Sequence, residues 1–180
     1  LVVLILFFTL IVNVNGAIIN IPLNQPTLQA GINSASNGDT IIVSPGTYSG
    51  NGNINVNFLG KAITLTSQLG YQSTIIDCGA AGNRAFVFDN NESPATRLMG
   101  FTIRNGDVRH RYDGGLPDKL GGGIKVKSSP TIQNCVLENC KAENGGGISV
   151  AFTGASPIID GCTFLYDSAS NYDGGAIYLG

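Results

Sequence analysis

Short segments in which apolar and polar residues alternate run through most of the chain. In one of them Ile124 and Val126 alternate with Lys125 and Lys127, and similar segments recur on both sides of it. Each alternation is brief and is interrupted by glycine, proline or asparagine. A period of two over such short distances predicts β-strands joined by tight turns.

These segments also repeat. GGGIKV at 121–126 returns as GGGISV at 145–150 and as GGAIYL at 174–179, at spacings of 24 and 29 residues. A second pair, SSPTIQNCVLEN at 128–139 and ASPIIDGCTFLYD at 155–167, has its prolines and its cysteines 27 residues apart. Repeats of this length indicate an architecture in which each repeat covers its neighbour.

The repeat predicts an all-β fold, namely a right-handed parallel β-helix (a solenoid) with three short strands per coil of about 23–29 residues. Coils stacked at about 4.8 Å would place equivalent side chains in ladders along the interior. One predicted ladder consists of Cys78, Phe101, Cys135 and Cys162. A second consists of Ile103, Leu137 and Phe164. Burial of each such apolar side chain stabilises the stack by about 1.5–3 kcal/mol.

The chain is expected to divide into three parts. Residues 1–16 are predicted to be a signal peptide truncated at its start, because LVVLILFFTLIV is apolar but too short to cross a bilayer. A buried core strand is the alternative for this segment. Residues 17–37 are predicted to form an N-terminal cap with a short helix that covers the open end of the solenoid. Residues 38–180 are predicted to be the β-helix, with its C-terminal coils missing.

A signal peptide implies a secreted or cell-surface location, and we expect the mature part not to be transmembrane within these residues. Disulfides are permitted in that compartment. The four cysteines contain no CxxC spacing, which argues against zinc. They are interpreted as small buried hydrophobic residues, with a Cys135–Cys162 bridge between stacked coils as the alternative. Cys140, which follows a predicted corner, is expected to be the most exposed.

The composition limits the classes of partner that the chain is expected to bind. A net charge of −2 and a charged fraction of 12% argue against nucleic acid, which requires a basic surface. Asp89-Asn90-Asn91-Glu92 could ligate calcium through oxygen atoms, but one short polar run without ligand spacing favours an ordinary turn. We therefore predict no metal site and no cofactor.

Several motifs resemble a known superfamily. LQAGINSASNGDTIIVSPGTY at 28–48 resembles the opening of right-handed β-helix proteins of the pectin-lyase-like superfamily. The GG[GA]I segments, with VLEN at 136–139 and FLYD at 164–167, resemble the GGA[ILV] and FxxN repeats of polymorphic outer-membrane proteins, although Val136 replaces Phe and Asp167 replaces Asn. The resemblance covers about residues 25–180 and implies the fold. It does not select a function, because the superfamily contains lyases, hydrolases, esterases and adhesins.

Charge is concentrated between Arg104 and Lys119, where glycine and proline indicate a loop that leaves the coil. The candidate ligand-binding residues are Arg109, His110, Arg111 and Asp113. The alternative is a solvated insertion whose charges pair with each other.

No residue is assigned a catalytic role, because the catalytic motifs of the superfamily's lyases, polygalacturonases and methylesterases are not found in the chain. The leading hypothesis is an exported or cell-surface protein that presents an extended binding face. It would be adhesin-like or carbohydrate-contacting, with polysaccharide or a cell-surface glycan as partner. The alternative is a polysaccharide lyase or glycoside hydrolase that acts on acidic polysaccharide, in which an arginine pairs with a uronate carboxylate.

Overall fold

The computed structural model describes residues 16–79, 82–151 and 153–180. Almost all of the regular structure in these ranges is β-strand, with one short helix near the beginning. Residues 1–15 of the predicted signal peptide lie outside the described ranges, so that assignment stays a prediction. None of the helices in the described ranges is long and apolar enough to span a membrane.

Three parallel sheets run along the molecule. The first sheet consists of β1 (Ile18–Ile21), β2 (Thr40–Val43), β5 (Thr64–Ser67), β8 (Arg97–Met99), β13 (Thr131–Gln133) and β17 (Ile158–Asp160). The second consists of β3 (Gly46–Tyr48), β6 (Thr74–Asp77), β9 (Thr102–Arg104), β14 (Val136–Glu138) and β18 (Thr163–Leu165). The third consists of β4 (Val56–Asn57), β7 (Phe86–Phe88), β12 (Ile124–Val126), β16 (Ile148–Val150) and β20 (Ile177–Leu179).

Each coil contributes one strand to each sheet in turn, and equivalent strands of successive coils pair in parallel. This winding is a parallel β-helix, so the predicted fold class is confirmed. Two further pairs lie outside the three sheets. The parallel pair is β15 (Lys141–Asn144) with β19 (Ser168–Asp173), and the antiparallel pair is β10 (Tyr112–Asp113) with β11 (Leu116–Pro117).

The second sheet tests the predicted interior ladders. Leu137 lies in register with Ile103 on one side and with Phe164 on the other, as predicted. The adjacent pairs of Val136 with Thr102 and with Thr163 place Cys135 opposite both Phe101 and Cys162. These two ladders are therefore present, and they occupy alternate, inward positions of the strands.

Cys78 was wrongly placed in the first ladder. Ile75 pairs with Thr102 and Asp77 pairs with Arg104, so Thr74 is the residue opposite Phe101. Cys78 lies four residues further on, inward and buried at the next corner. Matching one cysteine to another by type ignored the alternation within β6, which decides the register.

The glycine-marked corners explain the repeat. Gly121, Gly145 and Gly174 have φ angles of 65°, 65° and 62°, a left-handed conformation that costs glycine little. Gly122 and Gly146, which follow the first two of these glycines, lie against the backbone of the next coil. A Cβ on Gly122 would lie 2.5 Å from the carbonyl oxygen of Gly146. No side chain fits there without displacing backbone atoms, so the stacked coils themselves require glycine.

The helix α1 (Leu28–Ser34) covers the start of the stack. Thr27 caps it, because its Oγ1 accepts a hydrogen bond of 3.2 Å from the amide of Ala30. Leu28 and Ile32 are fully buried on the inner face, which contacts β1, β2 and β4. The predicted helix is therefore present. The segment predicted as the cap also contains β1, which pairs with β2 and begins the first sheet.

Aromatic rings fill the middle of the interior. Phe58 and Phe88 stack with their ring centroids 4.6 Å apart, while Phe86 lies 6.2 Å from Phe58 and 6.3 Å from Phe101. All four rings are fully buried. These rings join successive coils into one core, which supports the outward-facing residues described below.

All four cysteines are free thiols, which agrees with their interpretation as small buried residues. The expectation for Cys140 was wrong, because this residue is completely buried and Cys162 is the more exposed one. Asn139 has a φ of 55° at the corner, and the residue that follows this left-handed turn lies inside the coil.

Candidate functional site: a cationic cluster beside an amide-lined pocket

The charged segment leaves the coil as a small hairpin. β10 and β11 pair in antiparallel fashion, with Tyr112 opposite Pro117 and Asp113 opposite Leu116. The excursion is shorter than predicted, because Arg104 is still in β9 and Asp107 bridges to Lys141 of the following coil. The hairpin therefore begins after this bridge, and it returns to the coil at Asp118.

Asp118 is the centre of a cluster of charged side chains. Arg84 donates to its Oδ2 at 3.0 Å and to its carbonyl oxygen at 2.8 Å. Lys125 donates from Nζ to Oδ1 at 2.6 Å, and Arg111 donates from Nε to Oδ2 at 3.3 Å. We call Arg84, Arg111, Asp118 and Lys125 the Asp118 cluster. It joins two coil strands to the end of the hairpin.

The Asp118 cluster has an excess of positive charge. Three cations surround one carboxylate, and the side-chain exposures are 1% for Arg84, 10% for Lys125 and 22% for Arg111. Asp113 adds only a longer-range attraction to Arg84. The Nε of Arg84 is buried and has no hydrogen-bond partner among the described residues. Buried charge in this proportion favours the approach of a further anionic group, through Arg111 as the most exposed member.

The pKa values of Asp118 and Arg84 reflect the burial and the close pairing of these charges. Burial opposes ionisation of Asp118, but hydrogen bonds from Lys125 and Arg84, with the charges of both, hold the pKa of this carboxyl below its usual value. Burial lowers the pKa of the Arg84 guanidinium, although Asp118 acts in the opposite direction. Asp118 is therefore ionised at neutral pH and binds the cations around it.

An amide-lined pocket of about 360 Å³ lies directly beside the cluster. Its lining residues are Gln29, Asn51, Gly52, Ile54, Asn55 and Asn83. Asn55 belongs to both features, because its Oδ1 accepts from Arg111 Nη1 at 3.0 Å and its Nδ2 donates to Asn83 Oδ1 at 3.0 Å. Gln29 and Asn55 use most of their amide donors and acceptors within the protein, and the remaining donors and acceptors of the lining suit a ligand with hydroxyl groups.

The four predicted site residues do not converge on one point. Arg111 joins the Asp118 cluster, whereas Arg109 is 40% exposed and pairs with Asp107 through contacts of 3.0 and 2.7 Å. That pair raises the pKa of Arg109 and lowers that of Asp107, because each stabilises the charge of the other. His110 and Asp113 are exposed on the excursion, and their side chains make no hydrogen bond to the described part of the chain. Arg109 therefore fits the alternative interpretation, in which charges of the insertion pair with each other.

The four predicted site residues did not include Asp118, Arg84, Lys125 or Asn55. Arg84 precedes an apolar run, Ala85–Phe88, and Lys125 lies inside a glycine-marked strand. A charged residue next to or within an apolar strand indicates that its side chain is buried and paired, but the sequence does not show which residue it pairs with. Asn55 carried no signal, because asparagine is abundant throughout the chain.

The polar run 89–92 is irregular backbone that bends at Asn90, and Asn91 has a φ of 60°. The carboxylate of Glu92 is almost completely buried and accepts from the amides of Gly60 and Asn90 and from the hydroxyl of Ser128, at 3.1, 3.0 and 2.6 Å. These donors occupy the oxygens that a calcium ion would need. The described residues contain no group of three or more ligating side chains that could hold a metal ion.

Comparisons with protein-family models, with curated protein sequences and with solved structures find no match for this chain. The stacked parallel sheets define the chain as a parallel β-helix repeat protein, a fold that does not by itself select a function.

Proposed function

We propose that this chain is an exported or cell-surface β-helix repeat protein, related to the pectin-lyase-like superfamily, that presents an extended binding face to carbohydrate. It acts by adhesion or by contact with a glycan of a surface or a matrix. The observation that carries the proposal is the Asp118 cluster next to the pocket lined by Asn55 and Asn83.

The chemistry of the two features suits a glycan. Amide side chains form paired hydrogen bonds with neighbouring hydroxyl groups, and these are the groups that a sugar ring offers. A guanidinium such as that of Arg111 adds a charge-assisted contact to a carboxylate or a sulfate. A ligand with both groups would occupy the pocket and approach the cluster at the same time.

The solenoid adds length to this site. Five parallel strands at about 4.8 Å give the third sheet, to which Lys125 of the cluster belongs, a span of roughly 19 Å, which is the length of several sugar rings. The aromatic core keeps the coils in register, so polar groups on the surface hold fixed spacings. A rigid face with a regular spacing supports contact with a repeating polymer, since little ordering entropy is lost on binding.

Binding to an immobilised glycan panel tests the proposal. We expect retention of glycans that contain carboxylate or sulfate groups, and weaker retention as salt is raised. Arg111→Gln should weaken this binding about tenfold or more, which corresponds to the loss of one charge-assisted contact. The matched control is Arg97→Gln, because Arg97 lies on the first sheet and pairs with Gln133 at 2.6 Å. Equal binding by both variants would contradict this assignment of the site.

The same preparation separates binding from catalysis. The second hypothesis, a lyase or hydrolase of acidic polysaccharide, requires that bound polymer is shortened. Release of unsaturated uronate or of new reducing ends by the intact chain would replace the binding proposal with an enzymatic one. We expect the polymer to be recovered at its original length.

A further inference from the structure

Two thiols face each other on neighbouring coils of the second sheet. Thr163 donates its amide to the carbonyl oxygen of Cys135 at 2.9 Å, and the strands that follow pair in register from Val136 with Thr163 onward. Cys135 and Cys162 therefore occupy equivalent positions of adjacent coils. In-register parallel strands hold such Cα atoms about 4.8 Å apart, within the range of about 4.4–6.8 Å that a disulfide spans.

The surroundings of the two thiols differ. Cys135 is fully buried, whereas Cys162 is only partly buried. In the thiol form each sulfur approaches main-chain carbonyls of its own neighbourhood, with Cys135 Sγ 3.3 Å from Gln133 O and Cys162 Sγ 3.5 Å from Asp160 O. Within the described coils, Cys162 is therefore the more exposed of the two thiols.

Electrostatics favour ionisation of the outer thiol. The hydrogen bond that Cys135 donates to a Cys162 thiolate lowers the pKa of Cys162 and raises that of Cys135. Cys78 and Cys140, the other two cysteines, are both buried, and burial raises the pKa of each. Since the thiolate is the reactive form, Cys162 is the cysteine of this chain that is suited to attack an oxidant.

We propose that Cys135 and Cys162 form an oxidation site, at which a peroxide converts the two thiols into a disulfide that ties adjacent coils together. The proposal is independent of the glycan-binding role, because the pair lies on a different part of the coil from the Asp118 cluster.

The reaction balances in two steps. The Cys162 thiolate attacks one oxygen of hydrogen peroxide, the O–O bond breaks, and the products are the sulfenic acid of Cys162 and hydroxide. The Cys135 sulfur then attacks the Cys162 sulfur, and the S–O bond breaks with release of water, for which the thiol supplies one proton. Overall two thiols lose two electrons and two protons, and one peroxide becomes two waters.

Bond formation requires a small movement. Parallel in-register stacking keeps Cβ atoms further apart than the roughly 3.8 Å average of disulfides. Gly161, which immediately precedes Cys162, has a φ of 60° and the conformational freedom of glycine. The backbone before Cys162 can therefore turn its Cβ towards Cys135 without a break in the preceding coil.

Mild oxidation of the folded, fully reduced chain tests the proposal. One equivalent of hydrogen peroxide should remove two hydrogen atoms from the intact mass, and peptide mapping should recover Cys135 joined to Cys162. Cys135→Ser should instead leave Cys162 as a sulfenic acid that dimedone traps. Cys162→Ser should abolish both products. Cys78 and Cys140 act as internal controls and should remain unmodified until the chain is unfolded.

Three results would overturn the proposal. The first is modification of Cys78 or Cys140 at the same rate as Cys162 in the folded chain. The second is a disulfide between two chains in place of the internal one. The third is accumulation of the Cys162 sulfenic acid while Cys135 is present. Circular dichroism of each serine variant confirms that the coil is intact before the chemistry is compared.

Discussion

The glycine-marked corner and the Asp118 cluster both bring successive coils into close contact, but they do so by opposite means. At the corner, Gly122 and Gly146 have no side chains, so the backbones of successive coils come into contact. In the cluster, Arg84 and Lys125 use long side chains to reach Asp118 across the coils. The corner depends on local sterics and is repeated, whereas the cluster depends on electrostatics and occurs once in the described residues.

The difference shows which changes each region tolerates. A corner fails when any side chain is added, whatever its chemistry, because the nearby atoms are backbone. The cluster depends on the charge of its one carboxylate. Without that carboxylate, three cations would be buried together with no compensating negative charge. Mutations at the two regions should therefore differ in size, in salt dependence and in pH dependence.

The largest effect is expected for Asp118→Asn. The change removes the only negative charge among Arg84, Arg111 and Lys125, and leaving buried charge uncompensated costs about 3–5 kcal/mol. Urea denaturation at pH 7 measures the loss of unfolding free energy, and added salt should recover part of it.

Asp107→Asn is the matched control for this change. It breaks the pair with Arg109, which is 40% exposed, so the expected cost is under about 1 kcal/mol. If both variants lost the same stability, the Asp118 cluster would be no more important than a surface ion pair.

Gly146→Ala should have the next largest effect. Its Cβ would lie 2.5 Å from the carbonyl oxygen of Gly175 and 2.5 Å from the amide nitrogen of Ser168, so neighbouring coils must separate. We expect a loss of about 3 kcal/mol, measured by denaturation and independent of salt.

Gly114→Ala gives the comparison within the hairpin. Gly114 has a φ of 56° and open space around its Cβ position, so only the left-handed backbone is penalised, at about 1 kcal/mol. A cost at Gly146 as small as that at Gly114 would show that the coils do not depend on contact at the corner.

Asp167→Asn tests a charged side chain that lies at a glycine corner, and its expected effect on stability is smaller. This carboxyl lies at a glycine corner, where its Oδ2 would be 2.9 Å from a Cβ on Gly147, and that oxygen has no hydrogen-bond partner among the described residues. Burial raises the pKa of Asp167 to about 6, although the amide of Cys140 donates to its Oδ1 at 2.7 Å. At neutral pH the folded state therefore holds an unfavourable charge.

The sign of the pH dependence follows from that raised value. The native state favours the protonated acid, so the contribution of Asp167 is complete below the unfolded pKa of 3.8 and is lost as pH rises through about 6. Asparagine imitates the protonated form at every pH. The variant should be about 1 kcal/mol more stable than the parent at pH 7.5, after allowance for solvent screening of this partly exposed group. The gap in thermal stability should narrow as pH falls from 6 towards 4, and a constant gap would contradict the assignment.

The register of the strands shows where prediction from the sequence was correct and where it was wrong. The ladder of Ile103, Leu137 and Phe164 was correct because alternation within each strand leads to the same pairing. The placement of Cys78 was wrong because a parallel sheet is aligned by inward and outward positions and not by residue type.

The amino-acid sequence by itself determined the winding of this protein. Short alternations, corner glycines and a repeat of about 23–29 residues act locally, and each coil packs on the one before it in the same way. Only the tertiary structure decided which charges meet and which cysteine is inert. Arg84, Asn55 and Asp118 come from separate coils, and their interaction depends on distances of a few ångströms and on burial, which no local pattern along the chain encodes.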